Sequence, residues 1–267
     1  MKRIFLTGAS SGIGLAIARA LAARGDEVWG TSREVGRLPT FPRFHPVTLD
    51  LLDDQSIDRA FAVALDEAGC FDVLINNAGS GHFGATETLS AQTVAEQFQI
   101  LLFAQIQLTR LGLVSMRKGA GGLIINVTSL AAQLPIPFMA AYNAAKAAFA
   151  VFTMTIQLEL PDSKVRIVDL QPADICTDFN DAVRKETSDH PGYATRADKI
   201  WKAVDRNMKS APSPDLVARR VCALIDRANP PPRLAVGAIF QARIAPLILR
   251  FLPQRLLVWG IKKYYGL

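Results

Sequence analysis

Thr7-Gly8-Ala9-Ser10-Ser11-Gly12-Ile13-Gly14 is the stretch whose reading decides the fold. Before it, residues 3–7 are a short apolar run suited to one buried strand. After it, residues 15–24 carry a strong helical pattern that stops at Gly25. Strand, glycine turn and helix in that order make a cradle for a dinucleotide. Glycines let the backbone approach a pyrophosphate, and the helix start offers free N–H groups and a positive dipole end. Gly8, Ser10, Ser11, Gly12, Ile13 and Gly14 are the candidate contacts. The spacing is T-G-x-x-x-G-x-G, not the more common G-x-G-x-x-G.

Outward from this turn, strands and helices alternate. Strand patterns fall at residues 27–32, 44–49, 71–75, 122–127, 165–170 and 233–236, and helical patterns at 54–68, 89–116 (one long helix or a pair), 140–160 and from Asp215 onward. Alternation of this kind predicts an α/β fold: a doubly wound parallel sheet in a three-layer αβα sandwich, with the ligand across the carboxyl ends of the strands. Residues 34–42, 80–88 and 131–139 read as loops, and 180–211 as a polar segment with only weak helical pattern. One domain spans 1–237, with a substrate loop at 174–211. Residues 238–267 form an extension packed on that domain.

A second signal is Tyr142-Asn143-Ala144-Ala145-Lys146. Four positions place the phenol and the ammonium on one helix face, one turn apart. A tyrosine titrates near ~10, and an adjacent cation favours the phenolate and lowers that value. The pair is suited to moving a proton on or off an alcohol oxygen. The spacing alone is common in helices, so its meaning depends on the company it keeps.

That company is specific. T-G-x-x-x-G-x-G, Asn76-Asn77-Ala78-Gly79 at a strand end, Ser129 thirteen residues before Tyr142, and Tyr-x-x-x-Lys together resemble the short-chain dehydrogenase/reductase family, in its single-domain branch. The resemblance covers about residues 3–237. It implies a Rossmann-type fold and hydride transfer between a nicotinamide cofactor and a carbonyl or secondary alcohol. Ser129 would orient the substrate oxygen and Tyr142 would act as general acid or base. Lys146 would lower the tyrosine pKa and hold the nicotinamide ribose. Asn77, Ala78 and Gly79 would close over the adenosine half. Asp50, beside Leu51, would bond the adenine amine, or else serve as a helix-start carboxylate near Asp53. Pro172, Ile175 and Thr177 would line the nicotinamide and phosphate side, where Ala173 replaces a usual glycine.

Cofactor choice is read at the end of the second strand. NAD-binding relatives carry an acid there; this chain has Ser32 followed by Arg33. A guanidinium pairs with a 2′-phosphate, so NADP(H) is favoured over NAD(H). Ser11 stands where some NADP-type relatives have a basic residue, and a plain surface role for Arg33 is the alternative.

One position departs from the family. Aligning residues 98–104 with its catalytic-helix motif puts Leu101 where an Asn holds a water beside the lysine. Gln97 or Gln105, each one turn away, or water alone, would then complete the proton path. The alternative is an NADP(H)-binding sensor or scaffold with weak or no catalysis. An epimerase or dehydratase of the longer branch fits the loop spacing and the length less well.

Composition sets the remaining bounds. Half of the 267 residues are hydrophobic, and the formal charge of +6 has no dense basic run in the body of the chain, which argues against a nucleic-acid partner. Cys70, Cys176 and Cys222, like His45, His82 and His190, are scattered without metal-ligand spacing, which suggests a reducing cytoplasm and no structural metal. No apolar run reaches the ~18 residues of a membrane span. The tail mixes Ile244, Leu247, Phe251, Leu256 and Trp259 with Arg243, Arg250, Arg255, Lys262 and Lys263. It would roof the substrate pocket or lie peripherally on a membrane, and its glycine and prolines argue against one continuous helix. With Phe179 and Tyr193 it suggests a hydrophobic small-molecule substrate, of steroid, retinoid or lipid-like kind. The alanine-rich 140–160 helix suggests a homodimer or homotetramer, built with the preceding long helix.

Overall fold

The computed structural model describes residues 1–160, 164–186, 191–245, 248 and 251–267. Seven parallel strands form one sheet: β1 (Arg3–Leu6), β2 (Glu27–Ser32), β3 (Phe44–Thr48), β4 (Val73–Asn76), β6 (Gly122–Val127), β7 (Val165–Pro172) and β9 (Arg233–Val236), in the order β3-β2-β1-β4-β6-β7-β9. The central strands are apolar along their length because helices cover both faces; Ile4, Phe5, Leu6, Leu74, Ile75, Ile124 and Ile125 are fully buried.

On one face α1 (Gly12–Ala23) packs against α8 (Asp215–Ile225), through Ile17 and Leu21 on one and Val217, Val221 and Leu224 on the other. On the opposite face lie α2 (Asp54–Ala68), α4 (Ala104–Lys118) and α5 (Ala140–Glu159), with Ile57, Phe61 and Leu108 buried beneath them. Strand order reverses between β1 and β4, and there the glycine turn and the N-N-A-G segment leave the sheet side by side. A crevice outside the carboxyl ends at such a switch point is where this architecture binds ligands.

Three elements decide or depart from the sequence reading, the first by settling residues 89–116 as a pair of helices. The long helical stretch divides into α3 (Ala91–Phe98), a π-helical turn (Gln99–Phe103) and α4, with Ser90 capping α3 through its hydroxyl on the Thr93 N–H at 3.0 Å. By length and composition Ala91–Lys118 also reaches the range of a membrane span; its packing on β4, β6 and α5 gives its apolar side a place in the core. The second difference is a two-stranded ribbon, β5 (His82–Phe83) with β8 (Arg184–Lys185), inside segments read as loops. Phe83 and Val183 are buried there, an apolar anchor too short to show as a strand pattern.

The third is α7 (Pro191–Ser210), a full helix where only a weak pattern was legible. Its apolar stripe is broken by charges: Ile200, Ala203 and Val204 are buried, with Ala197, Trp201 and Met208 partly buried beside them. Just before it, α6 (Phe179–Ala182) is a single turn. The tail holds a π-helical turn (Phe240–Ile244) and a C-terminal helix (Gln254–Tyr265) that begins after Pro253 and contacts α7. His190, Leu247, Arg250 and the Arg243 side chain lie outside the described residues.

Candidate active site

The glycine turn is built to receive an anion. Gly8 and Gly12 take the left-handed region, φ 71° and 52°, which favours glycine. At Gly14 a Cβ would stand 1.9 Å from the Gly8 carbonyl oxygen, so helix and strand approach each other only without a side chain. Ser11 precedes α1 in extended conformation and its side chain makes no capping bond, which leaves the helix start to a ligand. These features fit a dinucleotide pyrophosphate.

Thr7 and Asn77 fasten the N-N-A-G segment to this turn. Asn77 and Ala78 donate their backbone N–H groups to Thr7 Oγ1 at 2.9 and 3.0 Å, and Asn77 Nδ2 donates to the Thr7 carbonyl at 2.9 Å. From the other side, Gln105 Nε2 donates to the carbonyls of Ala78 at 3.1 Å and Ile100 at 2.9 Å. Gln97 Nε2 reaches the Ser80 carbonyl at 3.3 Å. Neither glutamine lines the cleft, so both hold the segment in place rather than facing the reacting groups.

All of the predicted site residues border one cleft of about 630 Å³. Arg33 stands at its far end, joined by Arg37 from a 3-10 turn (Val35–Arg37). Arg37 was not legible as a site residue because it lay in a stretch read only as loop. Asp50 borders the cleft but spends one oxygen on its own turn, accepting from the Leu52 N–H at 3.0 Å, while Asp53 caps α2. Pro172, Ile175 and Thr177 form the wall opposite the glycine turn, a Gly12 Cβ position lying 3.4 Å from Thr177 Cβ. Ala173 is not among the described residues with positive φ, so its replacement of glycine costs no backbone strain. Gly237 makes room for it: a Cβ there would meet the Ala173 methyl at 2.6 Å.

At the near end Ser129 follows β6 and Tyr142 and Lys146 come from α5. The Ser129 hydroxyl accepts from the Ala131 N–H at 3.1 Å and lies close enough to the Tyr142 phenol to favour its ionised form. Lys146 is buried and donates to the Val127 carbonyl at 2.9 Å. Burial lowers its pKa to about 8, and the charge of Asp169 works the other way. Asp169 is itself buried and held by Thr128 Oγ1 at 2.5 Å, Gln171 Nε2 at 2.8 Å and Arg233 Nε at 2.8 Å.

The expectation that the ammonium lowers the phenol pKa needs correction. Tyr142 is pushed above its ordinary value, because burial disfavours the phenolate more than the Ser129 hydroxyl favours it. The ammonium hydrogen bond goes to Val127 rather than to the phenol. Leu101 is fully buried within the π-helical turn. A Cβ on Gly79 would lie 3.0 Å from Leu101 Cδ2 and 4.0 Å from Lys146 Nζ, so an apolar branch occupies the lysine's neighbourhood.

A proton donor, a hydroxyl and a buried ammonium thus share a cleft with an anion cradle. The chain as a whole is similar to known proteins. A family profile described as short chain dehydrogenase matches residues 2–188. The chain is 29% identical over 266 residues to a Bacteroides thetaiotaomicron protein named 3-ketodihydrosphingosine reductase, covering 99% of this chain and 98% of that one. A crystal structure of a Streptomyces avermitilis short-chain dehydrogenase superposes with a TM-score of 0.81 at 28% identity, over 97% of this chain and 96% of that one. An alcohol dehydrogenase from Thermococcus sibiricus, solved with 5-hydroxy-NADP, follows at TM-score 0.73 and 25% identity, over 90% and 97% of the two chains.

Proposed function

Because the chain belongs to the short-chain dehydrogenase/reductase family, we propose that it is an NADPH-dependent reductase of a ketone carried on a long apolar chain. The observation that carries this reading is the single cleft: Arg33 and Arg37 at one end, Ser129, Tyr142 and Lys146 at the other, and apolar walls from Ile136, Met139, Phe179, Leu257 and Tyr265 beyond them. The near-full-length likeness to a protein named for a long-chain keto substrate supports the substrate class.

The residues divide the work. Two guanidiniums favour a 2′-phosphate by charge-assisted hydrogen bonds. The helix α1 start and the glycine turn bind the pyrophosphate, and Lys146 holds the ribose beside the nicotinamide. Hydride for the carbonyl carbon is what the bound nicotinamide supplies. Ser129 donates to the carbonyl oxygen and fixes it against the phenol. Tyr142 gives its proton to that oxygen as negative charge develops there, and burial drives the resulting phenolate to take a proton back.

A homodimer is part of the proposal. Val114 on α4 and Val151, Met154 and Leu158 on α5 are exposed apolar side chains on adjacent helices, a surface suited to a second copy.

One observation favours a second reading, a nucleotide-binding protein with little turnover: Leu101 and Lys146 both approach Gly79, and an apolar side chain there offers no polar group to connect the ammonium to water. The test is NADPH consumption against ketones of increasing chain length, with Tyr142→Phe as control. Turnover by the native chain, cut by about 10²–10⁴ in the variant while NADPH still binds, supports the reductase. Tight NADPH binding with no consumption across the series supports the second reading.

A further inference from the structure

We propose that the C-terminal extension docks on an anionic lipid bilayer, with its outer face on the lipid and its inner face over the cleft. The charge distribution points there first. Residues 238–267 contain five Lys or Arg and no Asp or Glu, so five of the six net positive charges of the chain sit in its last 30 residues. The rest of the protein is close to neutral, so the extension carries the net charge that draws the protein to an anionic surface.

The C-terminal helix divides cleanly into two faces. Leu257, Gly260, Ile261 and Tyr264 recur at i, i+3, i+4 and i+7 and line the cleft. Arg255, Val258, Trp259 and Lys262 recur at the same spacing on the other side and are exposed. A helix that turns its other face to the cleft has no folding reason to expose a tryptophan outside. Trp259 is 62% exposed, and elsewhere in the extension Phe251 is 77% and Ile239 72% exposed. Lys263 sits over the Trp259 ring, 5.2 Å from its centre. Large apolar side chains interleaved with cations on one face match the headgroup boundary, where rings enter the acyl edge and ammonium groups meet phosphates.

The extension is also fastened to the catalytic body. Gln241 Nε2 donates to Asp174 at 2.5 Å and Asn207 Nδ2 to the Tyr264 hydroxyl at 2.8 Å. Docking therefore presents the cleft roof, not a loose tail, to the bilayer. The proposal stands whether or not the reductase reading above holds, since it concerns only where the protein binds.

The experiment is co-sedimentation of the full chain with vesicles of phosphatidylcholine alone and of an equimolar phosphatidylcholine–phosphatidylglycerol mixture, at low and high salt. Phe251→Ser/Trp259→Ser and Lys262→Glu/Lys263→Glu are compared with the native chain, none of these side chains lining the cleft. NADPH binding and thermal melting report that each variant is folded. Expected is partition onto the anionic vesicles that falls with salt, little onto phosphatidylcholine, and at least a ~10-fold loss in each variant. Absence of binding to anionic vesicles at low salt overturns the proposal, as does unchanged binding by a folded Phe251→Ser/Trp259→Ser variant. Concentration-dependent self-association abolished by that variant, without vesicle binding, overturns it in favour of a second copy of the chain.

Discussion

Lys146 Nζ donates to the carbonyl oxygen of Val127 at 2.9 Å, from a side chain only 5% exposed. A strand end thus fixes the ammonium, and burial brings its pKa to about 8. Between about 8 and the unfolded value near ~10.4 the unfolded chain binds more protons than the native one, so stability rises with pH in that window. Above about 10 the raised Tyr142 pKa acts in the opposite sense, because the unfolded phenol ionises first. Urea denaturation at several pH values should show a gain of about 2–3 kcal/mol from roughly pH 8 to 10 in the native chain. Lys146→Met should flatten that slope; a slope unchanged in the variant would assign it to another group.

Arg33 and Arg37 border the same end of the cleft. Removing charge-assisted bonds to a 2′-phosphate costs about 1.5–3 kcal/mol, so Arg33→Ala should raise KM for NADPH by about 10–100-fold. NADH has no 2′-phosphate, and its KM should move by less than about threefold. Steady-state kinetics with both nucleotides checks the split; equal losses would mean that the arginine acts through the fold.

Gln105→Leu removes the donor that two carbonyls, Ala78 and Ile100, share. The expected cost is about 1–3 kcal/mol of stability and weaker nucleotide binding, since the N-N-A-G segment loses its brace. Turnover at saturating nucleotide should stay near native, because this amide does not reach the cleft. A collapse of kcat with unchanged melting temperature would return Gln105 to the proton path.

Leu101→Asn tests the opposite idea, that an apolar neighbour of Lys146 slows proton exchange. An amide there can hold water beside the ammonium, so kcat should rise in a variant that retains NADPH binding. A kcat that stays flat would show that proton exchange is not limiting.

Val151→Glu together with Leu158→Glu places two carboxylates on the exposed apolar face of α5. Light scattering after size-exclusion chromatography should show the native chain as a dimer or larger and the variant as a monomer. A native chain that already runs as a monomer would refute the proposed interface.

The sheet was legible because parallel strands buried on both faces are almost uniformly apolar. Residues 122–127 and 165–170 therefore announced themselves, and β6 and β7 lie at those positions. The ribbon of β5 and β8 was not legible, since two residues carry no period; Phe83 and Val183 become a core only when α7 is laid over them. Likewise α7 hid its apolar stripe among charges, and the π-helical turn at Leu101 leaves no mark on a hydrophobic pattern.

By itself the sequence determined the glycine turn, the strand alternation and the residue types available for proton transfer, since each depends on local spacing. Only the tertiary structure decided where those groups point and what surrounds them. It turned the Lys146 ammonium to a backbone carbonyl, half-buried Tyr142 so that desolvation raised its pKa, and drew Arg37 to the cleft. Desolvation and hydrogen-bond choice depend on neighbours distant in sequence, and spacing along a chain does not encode them.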